Sequence, residues 1–259
     1  MVIVSSPPQA THLVARAFGW LALVVALMLA GPLLTLAFGS VSMRGDWRTA
    51  THRSTGLAPD PAAHPDAIVQ VYASRTFGWR GAFAVHTWVA AKPAHADRYT
   101  RYEVIGWKAR GGGSGLAISD YGAPDAEWYG AAPELIGDLR GAAAASVIAK
   151  IPEAAAAYPF TTYSAWPGPN SNTFIAYLGR AIPEWHLTLP SLAIGKDYLP
   201  LGRWIAAAPS GTGGQLSVGG VVGVTVARDE GLELNLFGLV TGIDFRRPAI
   251  KLPGLGRLG

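Results

Sequence analysis

The sequence contains no cysteine, and only 15% of its 259 residues are charged. A chain without cysteine forms no disulfide bond and offers no thiolate as a nucleophile or metal ligand. The same absence leaves the redox compartment open, because cysteine usage carries no information on it. Half of the residues are hydrophobic, which at this length is enough for one sizeable domain and an appendage.

The sequence also lacks a strong metal, nucleotide or nucleic-acid motif. The glycine-rich run at 110–115 (RGGGSG) is not followed by the Lys-Ser/Thr pair of a phosphate-binding loop, so we interpret it as a flexible loop. The net charge of +4 comes from the C-terminal tail, and the rest of the chain has no basic-aromatic motif. We therefore expect no cofactor, no metal ion and no nucleic-acid partner.

One long apolar segment is present near the N-terminus. Residues 17–38 (AFGWLALVVALMLAGPLLTLAF) carry no charge and are long enough to cross a bilayer core as a helix. A secretory signal peptide is the competing interpretation, but the apolar run is too long for it and no clear cleavage site follows. We predict a leader over 1–16, an uncleaved transmembrane anchor over 17–38 and a linker over 39–66.

The charges that flank this segment leave its orientation open. Arg16 precedes it and Arg44, Arg48 and Arg53 follow it, so the positive-inside rule favours a cytoplasmic domain. Single N-terminal anchors with short leaders, by contrast, usually export the chain that follows. We expect a single-pass membrane protein whose domain lies on the extracytoplasmic side, with the lipid bilayer as its partner and an unknown oligomeric state.

The remaining residues, 67–259, predict one α+β domain, an antiparallel sheet with packed helices. Its first part contains strand-like runs at 68–73, 81–90 and 99–107. Two helices follow, from Pro133 to about Lys150 and from Thr173 to about Ile182; Pro133 and the acidic Glu134 are typical of a first helical turn, and Ile151-Pro152 interrupts or ends the first helix.

The C-terminal third predicts a β-hairpin followed by a basic tail. Its strands, 215–227 and 232–240, are rich in β-branched residues and glycine, and the turn at 229–231 (DEG) joins them. We expect this hairpin to be flat and apolar on both sides, and to pack on the domain or against the bilayer surface. The tail after Asp244 either lies near anionic headgroups or is a solvated terminus.

The most informative segment for chemistry is 166–174 (WPGPNSNTF), a rigid turn that leads into a helix. Three short polar residues follow its prolines at the expected helix start, so Ser171 is presented at the positive end of a helix dipole. Ser171 is therefore a candidate nucleophile, with Asn170, Asn172 and Thr173 as substrate-binding neighbours and the Asn172 and Thr173 backbone N–H groups as oxyanion donors. The alternative is that the three polar residues merely cap the helix.

A serine nucleophile needs a base, and His86 is the one histidine inside a predicted strand. Glu103, on the neighbouring strand, is the best-placed carboxylate to orient its imidazole. The alternative for His86 is a half-buried structural residue without chemistry.

Two further groups are weighed as substrate-binding residues. Lys196 and Asp197 either line the same cleft as Ser171 or form an ion pair on a surface turn. Four tryptophans either form the walls of a groove for a sugar or an acyl chain or fill the core: Trp88, Trp107, Trp128 and Trp166.

The order of these pieces resembles circularly permuted papain-like proteins, the group of the lecithin-retinol acyltransferase-like amidases and acyltransferases. In that group a strand carries the catalytic His, the next strand an orienting polar residue, and a later Asn-Cys-x-x-Phe motif opens a helix. Here His86, Glu103 and the run from Asn170 to Phe174 follow in that order, with Ser171 in the place of the cysteine. The resemblance covers about 69–182 and implies a permuted papain-like fold.

A second resemblance spans nearly the whole chain. Its segments resemble signatures of a bacterial family that is known only as a domain of unknown function: 127–134 (EWYGAAPE), 166–174, 194–198 (IGKDY) and 247–254 (RPAIKLPG). It implies a bacterial source, hence the inner membrane and the periplasm, but no activity. Three hypotheses result: an amide or ester hydrolase or acyltransferase of cell-envelope peptides or lipids, an inactive binding module, and a structural protein of the membrane surface.

Overall fold

The computed structural model describes residues 8–39, 41, 48 and 50–259. Its helices are α1 (Pro8–Phe38), α2 (Gly141–Ala156) and α3 (Ser171–Ala181), and three short 3-10 helices span Gly78–Ala82, Lys108–Gly111 and Pro183–Trp185. The first five strands are β1 (Ile68–Arg75), β2 (Val85–Lys92), β3 (Thr100–Val104), β4 (Leu116–Ser119) and β5 (Glu134–Arg140). The other seven are β6 (Ile205–Ala207), β7 (Gly213–Val218), β8 (Val222–Ala227), β9 (Gly231–Leu236), β10 (Leu239–Asp244), β11 (Ala249–Leu252) and β12 (Gly256–Leu258).

The fold is α+β with two antiparallel sheets. The first sheet has the order β4-β3-β2-β1-β5, and α2 and α3 pack on one of its faces. That face holds the main core, to which Val71 and Val89 contribute from the strands and Ile151 and Phe174 from the helices. The core therefore holds the start of α3 against β2.

The opposite face of the first sheet is covered by irregular chain. It buries a smaller cluster that includes Tyr72 and Trp88, and the Trp88 Nε1 donates a hydrogen bond of 2.7 Å to the carbonyl of Pro124. The Asp125 carboxylate accepts hydrogen bonds from the Ser54 hydroxyl and the Leu57 amide. The described end of the predicted linker thus lies against the domain.

The second sheet, β6 to β12, is a meander in which each strand pairs with the next. The predicted hairpin and tail are corrected here: the run 215–227 is two strands that turn at Gly219 and Gly220, both at positive φ. The tail forms β11 and β12, and its Lys251 is buried. These strands are too short, at three to six residues, for the sequence pattern to separate them.

The prediction of a helix from Pro133 is wrong for about its first two turns. Residues 134–140 form β5, which pairs with β1 from Ile68 to Ala73, because this pairing satisfies the backbone groups of an edge that would otherwise be open. The helix α2 begins only at Gly141 and continues past Pro152 to Ala156. Pro152 lacks an N–H for the helical ladder, but the buried Ile151 and Ala155 keep this last turn on the core.

Helix α1 is long and apolar enough, from His12 to Phe38, to cross a membrane by length and composition. It begins at Pro8, inside the predicted leader; residues 1–7 of that leader and residues 40, 42–47 and 49 of the linker lie outside the described residues. Its C-terminal part packs on the domain, where the Thr35 hydroxyl donates a hydrogen bond of 3.1 Å to the carbonyl of Gly254. The residues from 12 to 30 precede this contact and extend about 28 Å at about 1.5 Å per residue.

Candidate functional site

The start of α3 is built around Asn170, whose side chain caps the helix. Its Oδ1 accepts hydrogen bonds from the backbone N–H groups of Asn172 at 2.9 Å and Thr173 at 3.2 Å. In return, the Thr173 hydroxyl accepts the backbone N–H of Asn170 at 3.1 Å, which completes a capping box. The Asn170 Nδ2 donates to the carbonyls of Ala165 and Ile194.

This cap corrects the predicted roles of the neighbours of Ser171. The N–H groups of Asn172 and Thr173, expected to be oxyanion donors, already donate to Asn170. The Thr173 hydroxyl donates to the carbonyl of Gly195 at 2.8 Å, and Thr173 is not on the wall of the cavity described below. These groups hold the turn together and are not available to a substrate.

Asn172 fastens α3 to β2. Its Oδ1 accepts a hydrogen bond of 2.9 Å from the Thr87 hydroxyl, and its Nδ2 donates to the carbonyls of Val85 at 2.9 Å and Ile194 at 2.8 Å. The bonds to Val85 and Thr87 lie on either side of His86 in the chain. Asn172 therefore sets the position of the helix start relative to the strand that carries His86.

Ser171 is the exception in this segment, because neither its hydroxyl nor its backbone N–H has a partner among the described residues. Its side chain is only 5% exposed, yet its hydroxyl makes no hydrogen bond to any described residue. As the first residue of α3, it also has a backbone N–H for which the helix provides no acceptor. A buried hydroxyl and an adjacent free N–H at a helix start form a ready site for a carbonyl oxygen or an anion.

His86 is held by a buried carboxylate. Its Nε2 lies 2.8 Å from Glu103 Oε2, and both side chains are 7% exposed. Arg101 binds the same carboxylate: its Nη2 donates to Oε2 at 3.0 Å, and its Nε lies 2.7 Å from Oε1 without hydrogen-bond alignment. The three residues form a buried row of imidazole, carboxylate and guanidinium.

The charges in this row follow from its burial. Burial lowers the pKa of His86 below its usual value, against the opposing effect of the Glu103 carboxylate. Burial raises the pKa of Glu103, but the hydrogen bond from His86 and the charge of Arg101 outweigh it and lower that pKa to about 2. Because an ionised Glu103 accepts a hydrogen bond from Nε2, the neutral imidazole carries its proton there and its lone pair on Nδ1.

Aromatic rings fix the plane of the imidazole. The His86 ring stacks on Trp128 with centroids 3.6 Å apart and an interplanar angle of 10°, and Trp107 stacks on the other side of Trp128. The Arg101 guanidinium lies 4.2 Å above Trp88. The ring of His86 can thus tilt little, and Nδ1, for which no hydrogen-bond partner is described, keeps its direction.

His86 and Ser171 line one cavity of about 870 Å³. No hydrogen bond joins the two side chains. Nine of the cavity residues are aromatic, and two are exposed arginines, Arg80 and Arg110. The aromatic residues are Phe77, Trp79, Phe83, Trp107, Trp128, Tyr129, Tyr163, Trp166 and Phe237. Asn170 and Asn172 also reach this wall, so the site is a largely aromatic cavity with a few polar groups on its wall.

A second cavity of about 610 Å³ adjoins the first. The two share five wall residues: His86, Trp107, Arg110, Trp128 and Tyr163. His86 therefore lies at the boundary between the two cavities.

Three predicted substrate-binding residues lie elsewhere. Trp88 is fully buried, stacks on Tyr72 and is not on the cavity wall. Lys196 and Asp197 lie neither in the cleft nor on a surface turn: both are buried against the second sheet. Lys196 Nζ lies 2.5 Å from Glu233 Oε2. Of the four tryptophans, Trp107, Trp128 and Trp166 do reach the cavity.

Sequence reasoning missed Arg101 and the stacking of Trp128, a predicted groove residue, on His86. Arg101 lies two residues before Glu103 on β3, and this spacing places both side chains on one face of a strand. The signal was available in the sequence. Trp128 lies in irregular chain after the first four strands, and no local pattern indicates that it packs on His86.

No group of three or more His, Asp or Glu side chains in the described part of the chain is arranged to hold a metal ion.

A family model described as "Protein of unknown function (DUF3750)" matches residues 66–198. These residues include the first sheet, α2, α3 and all of the site except the contributions of Phe237 and Leu239. No curated protein and no solved structure matches the chain.

Proposed function

The chain belongs to the DUF3750 family of proteins of unknown function, and we propose that it is a serine-dependent acyl hydrolase or acyltransferase. Ser171 is the nucleophile, His86 the general base and Glu103 the residue that orients the base. The observation that carries this proposal is the contrast at the helix start. Every polar side chain around Ser171 is consumed by structural hydrogen bonds, whereas the Ser171 hydroxyl and the His86 Nδ1 are both free and line one cavity.

The chemistry follows from these two free groups. The Ser171 Oγ attacks the carbonyl carbon of an ester or amide while His86 Nδ1 takes its proton. The tetrahedral intermediate collapses when the bond to the leaving group breaks and His86 returns the proton to that group. Water or an acceptor hydroxyl or amine then attacks the acyl-enzyme while His86 Nδ1 takes its proton, and the bond from the acyl group to Ser171 Oγ breaks as His86 returns that proton to Oγ. Attack by water gives hydrolysis, and attack by the acceptor gives transfer.

The oxyanion of the tetrahedral intermediate binds the backbone N–H of Ser171 itself. This donor replaces the N–H groups of Asn172 and Thr173, which the cap occupies. It lies at the positive end of the α3 dipole, where developing negative charge is stabilised.

The cavity supports a substrate with a bulky apolar acyl group. Its aromatic wall excludes water from the acyl chain, and the second cavity on the far side of His86 accommodates the leaving group. Peptides or lipids of the cell envelope fit this description. A protein anchored in the inner membrane by α1, with its domain in the periplasm, would meet them there.

The order of the site supports a permuted papain-like arrangement. The three elements follow in the expected order along the chain. Strand β2 carries the histidine, its neighbour β3 carries the carboxylate, and the later helix α3 carries the nucleophile. The hydroxyl in place of a thiol is the departure from that pattern, and a hydroxyl depends on His86 for its reactivity because it is not ionised at neutral pH.

A binding module without catalysis is the second candidate function. It is favoured by one observation, the missing hydrogen bond between Ser171 and His86. In this candidate the same cavity holds an acyl group, and the free N–H and hydroxyl of Ser171 bind its carbonyl without attack. A third candidate, a purely structural role at the membrane surface, leaves the cavity empty.

Turnover of acyl esters separates these candidates. The full chain in detergent micelles is tested with p-nitrophenyl esters of increasing chain length. Ser171→Ala and His86→Gln should each lower kcat/KM on the order of 10³-fold, and Glu103→Gln should lower it less. The matched control is Ser119→Ala, on β4 and outside both cavities, which should keep full activity. Turnover that Ser171→Ala retains contradicts the proposal, and saturable binding of the esters without turnover identifies a binding module.

A further inference from the structure

In the second sheet the polar residues face the protein and the apolar residues face outward, which is the reverse of the usual pattern. In β9, Glu233 and Asn235 are buried whereas Leu232 and Leu234 are exposed. In β7, Gln215 is likewise buried. The expectation that both sides of this hairpin are apolar is therefore wrong for the inner side.

The inner side is polar because it binds a buried charged segment. Glu233 lies between Lys196 and Lys251, with both ammonium groups 2.5 Å from its oxygens. Asp197 accepts hydrogen bonds from Asn235 at 2.9 Å and Gln215 at 3.1 Å. Since strand side chains alternate, this inner polar row places the branched apolar side chains of the same strands outside.

The outward side chains align in rows across the sheet. The registers place Ile205 opposite Leu216, Leu216 opposite Val224 and Val224 opposite Leu234. The next row continues from Val226, through Leu232 and Ile243, to Ile250 and Leu258.

These rows form a continuous apolar face. Seven strands about 4.8 Å apart give a width of about 29 Å, and six residues give a length of about 17 Å. The face thus covers on the order of 500 Å², at the upper end of what monomeric proteins expose. Ile205 is 73% exposed and Val226 59%, so no described part of the chain covers them.

The exposed charged side chains around this face are arginines, and three of them pair with carboxylates: Arg228 and Arg246 with Asp229, and Arg257 with Asp244. Every exposed charged side chain between 201 and 259 is an arginine, whereas the acidic side chains of this region are buried. The five are Arg203, Arg228, Arg246, Arg247 and Arg257. An apolar face with a rim of arginines is complementary to lipid headgroups that carry negative charge.

The face is also continuous with α1. The turn between β11 and β12 receives the hydrogen bond of Thr35 at Gly254 and packs Pro253 against Gly31. The helix that can cross a membrane therefore meets the domain at this turn, at the edge of the second sheet.

We propose that the outward face of β6–β12 is a membrane-docking surface, which lies on a bilayer that contains anionic lipids. The proposal is independent of catalysis at Ser171. A second copy of the chain is the less suitable occupant. Two identical faces would bring two arginine rims together, and about 500 Å² for each partner is below the roughly 800 Å² of a standard interface.

A spin label on the face tests this proposal with the full chain in vesicles. Because the chain has no cysteine, Leu234→Cys gives one label at the centre of the face, and Ala145→Cys on α2 gives a solvent-exposed control. Collision rates with oxygen and with a water-soluble nickel chelate are measured in vesicles of phosphatidylcholine with phosphatidylglycerol, and of phosphatidylcholine alone. A circular dichroism spectrum checks that each variant is folded.

Contact with the bilayer raises oxygen collisions and lowers nickel collisions at residue 234 several-fold relative to residue 145, and this contrast shrinks without phosphatidylglycerol. The double change Arg203→Glu with Arg247→Glu should weaken it in the same way. High collision rates with both reagents would show a face in water and overturn the proposal. Low rates with both, together with spin–spin broadening that unlabelled protein dilutes away, would show a second copy on the face and overturn it equally.

Discussion

At the scale of single residues, the function of the site depends on which polar atoms are free. Asn170, Asn172 and Thr173 look equivalent to Ser171 in the sequence, since all four are short polar residues at a helix start. The structure separates them by their hydrogen bonds, which only a folded chain forms between 170–173 and the distant 85–87 and 194–195. The helix start and the candidate Ser171 were predictable, whereas the use of the Asn172 and Thr173 N–H groups by the cap was not.

The protonation of His86 gives a prediction on stability. Burial lowers its folded pKa, whereas an unfolded chain binds this proton near pH 6.5. Below about pH 6.5 the unfolded state therefore binds more protons than the folded state. The free energy of unfolding is highest above that pH, and it decreases as the pH falls towards the folded pKa of His86. The loss is up to about 1.4 kcal/mol per pH unit.

Urea unfolding from about pH 7.5 to about pH 5 measures this effect. Over that range the wild type should lose more stability than His86→Gln, which has no imidazole to titrate. Glu103 does not contribute there, because its stabilising charge is lost only as the pH falls below about 4.5 towards its folded pKa of about 2. Parallel curves for wild type and His86→Gln would mean that the imidazole is not held neutral by burial.

At the scale of secondary-structure elements, the outcome of prediction depended on long-range pairing. Local sequence patterns suffice to predict the strand that carries His86 and the neighbouring strand that carries Glu103. The structure contains both, as β2 and β3. Residues 134–140 carry the local signals of a helix start and form a strand, because β1 offers them an open edge. Pairing between distant segments overrides local preference there.

The cap of α3 gives a prediction at this scale. Asn170→Ala removes the acceptor for two N–H groups and the two donors of Nδ2. We expect a loss of about 2 kcal/mol in the free energy of unfolding. The matched variant Asn170→Ser keeps a cap acceptor and loses the Nδ2 donors without adding a charge, so its loss should be smaller.

Urea denaturation of both variants gives the comparison. Equal losses in the two variants would show that the Nδ2 contacts alone hold the turn and that the cap contributes nothing. Ser171→Ala serves as the reference in the same helix, with a change within about 0.5 kcal/mol, since its hydroxyl has no partner among the described residues.

At the scale of the whole molecule, buried charge joins the second sheet to the turn segment that carries Lys196. Lys196 lies near the end of the part of the chain that the family model covers, and Glu233 and Lys251 belong to the second sheet. Their contacts could not be predicted, because the residues are 37 and 18 positions apart and ionic residues are rarely buried. These buried ion pairs couple the second sheet to the segment at 194–196, which also holds the start of α3, and they explain why the inner face of the second sheet is polar.

This coupling predicts one cooperative transition for the domain. Glu233→Ala leaves two ammonium groups buried without their counter-charge, which should cost about 3–5 kcal/mol. Asp120→Ala, whose carboxylate is exposed, is the control and should change stability by less than about 0.5 kcal/mol. Tryptophan fluorescence and circular dichroism should move together to lower denaturant in Glu233→Ala. A separate early transition of the second sheet would show that the two sheets are not coupled.

The most direct measurement of the central claim is the site of covalent labelling by a serine-reactive fluorophosphonate on the full chain. If Ser171 is a nucleophile activated by His86, peptide mass spectrometry should find one adduct, on Ser171, which His86→Gln and Ser171→Ala abolish while both variants keep their circular dichroism spectra. A folded wild-type chain that forms no adduct on Ser171, or one that labels equally after His86→Gln, would contradict the account.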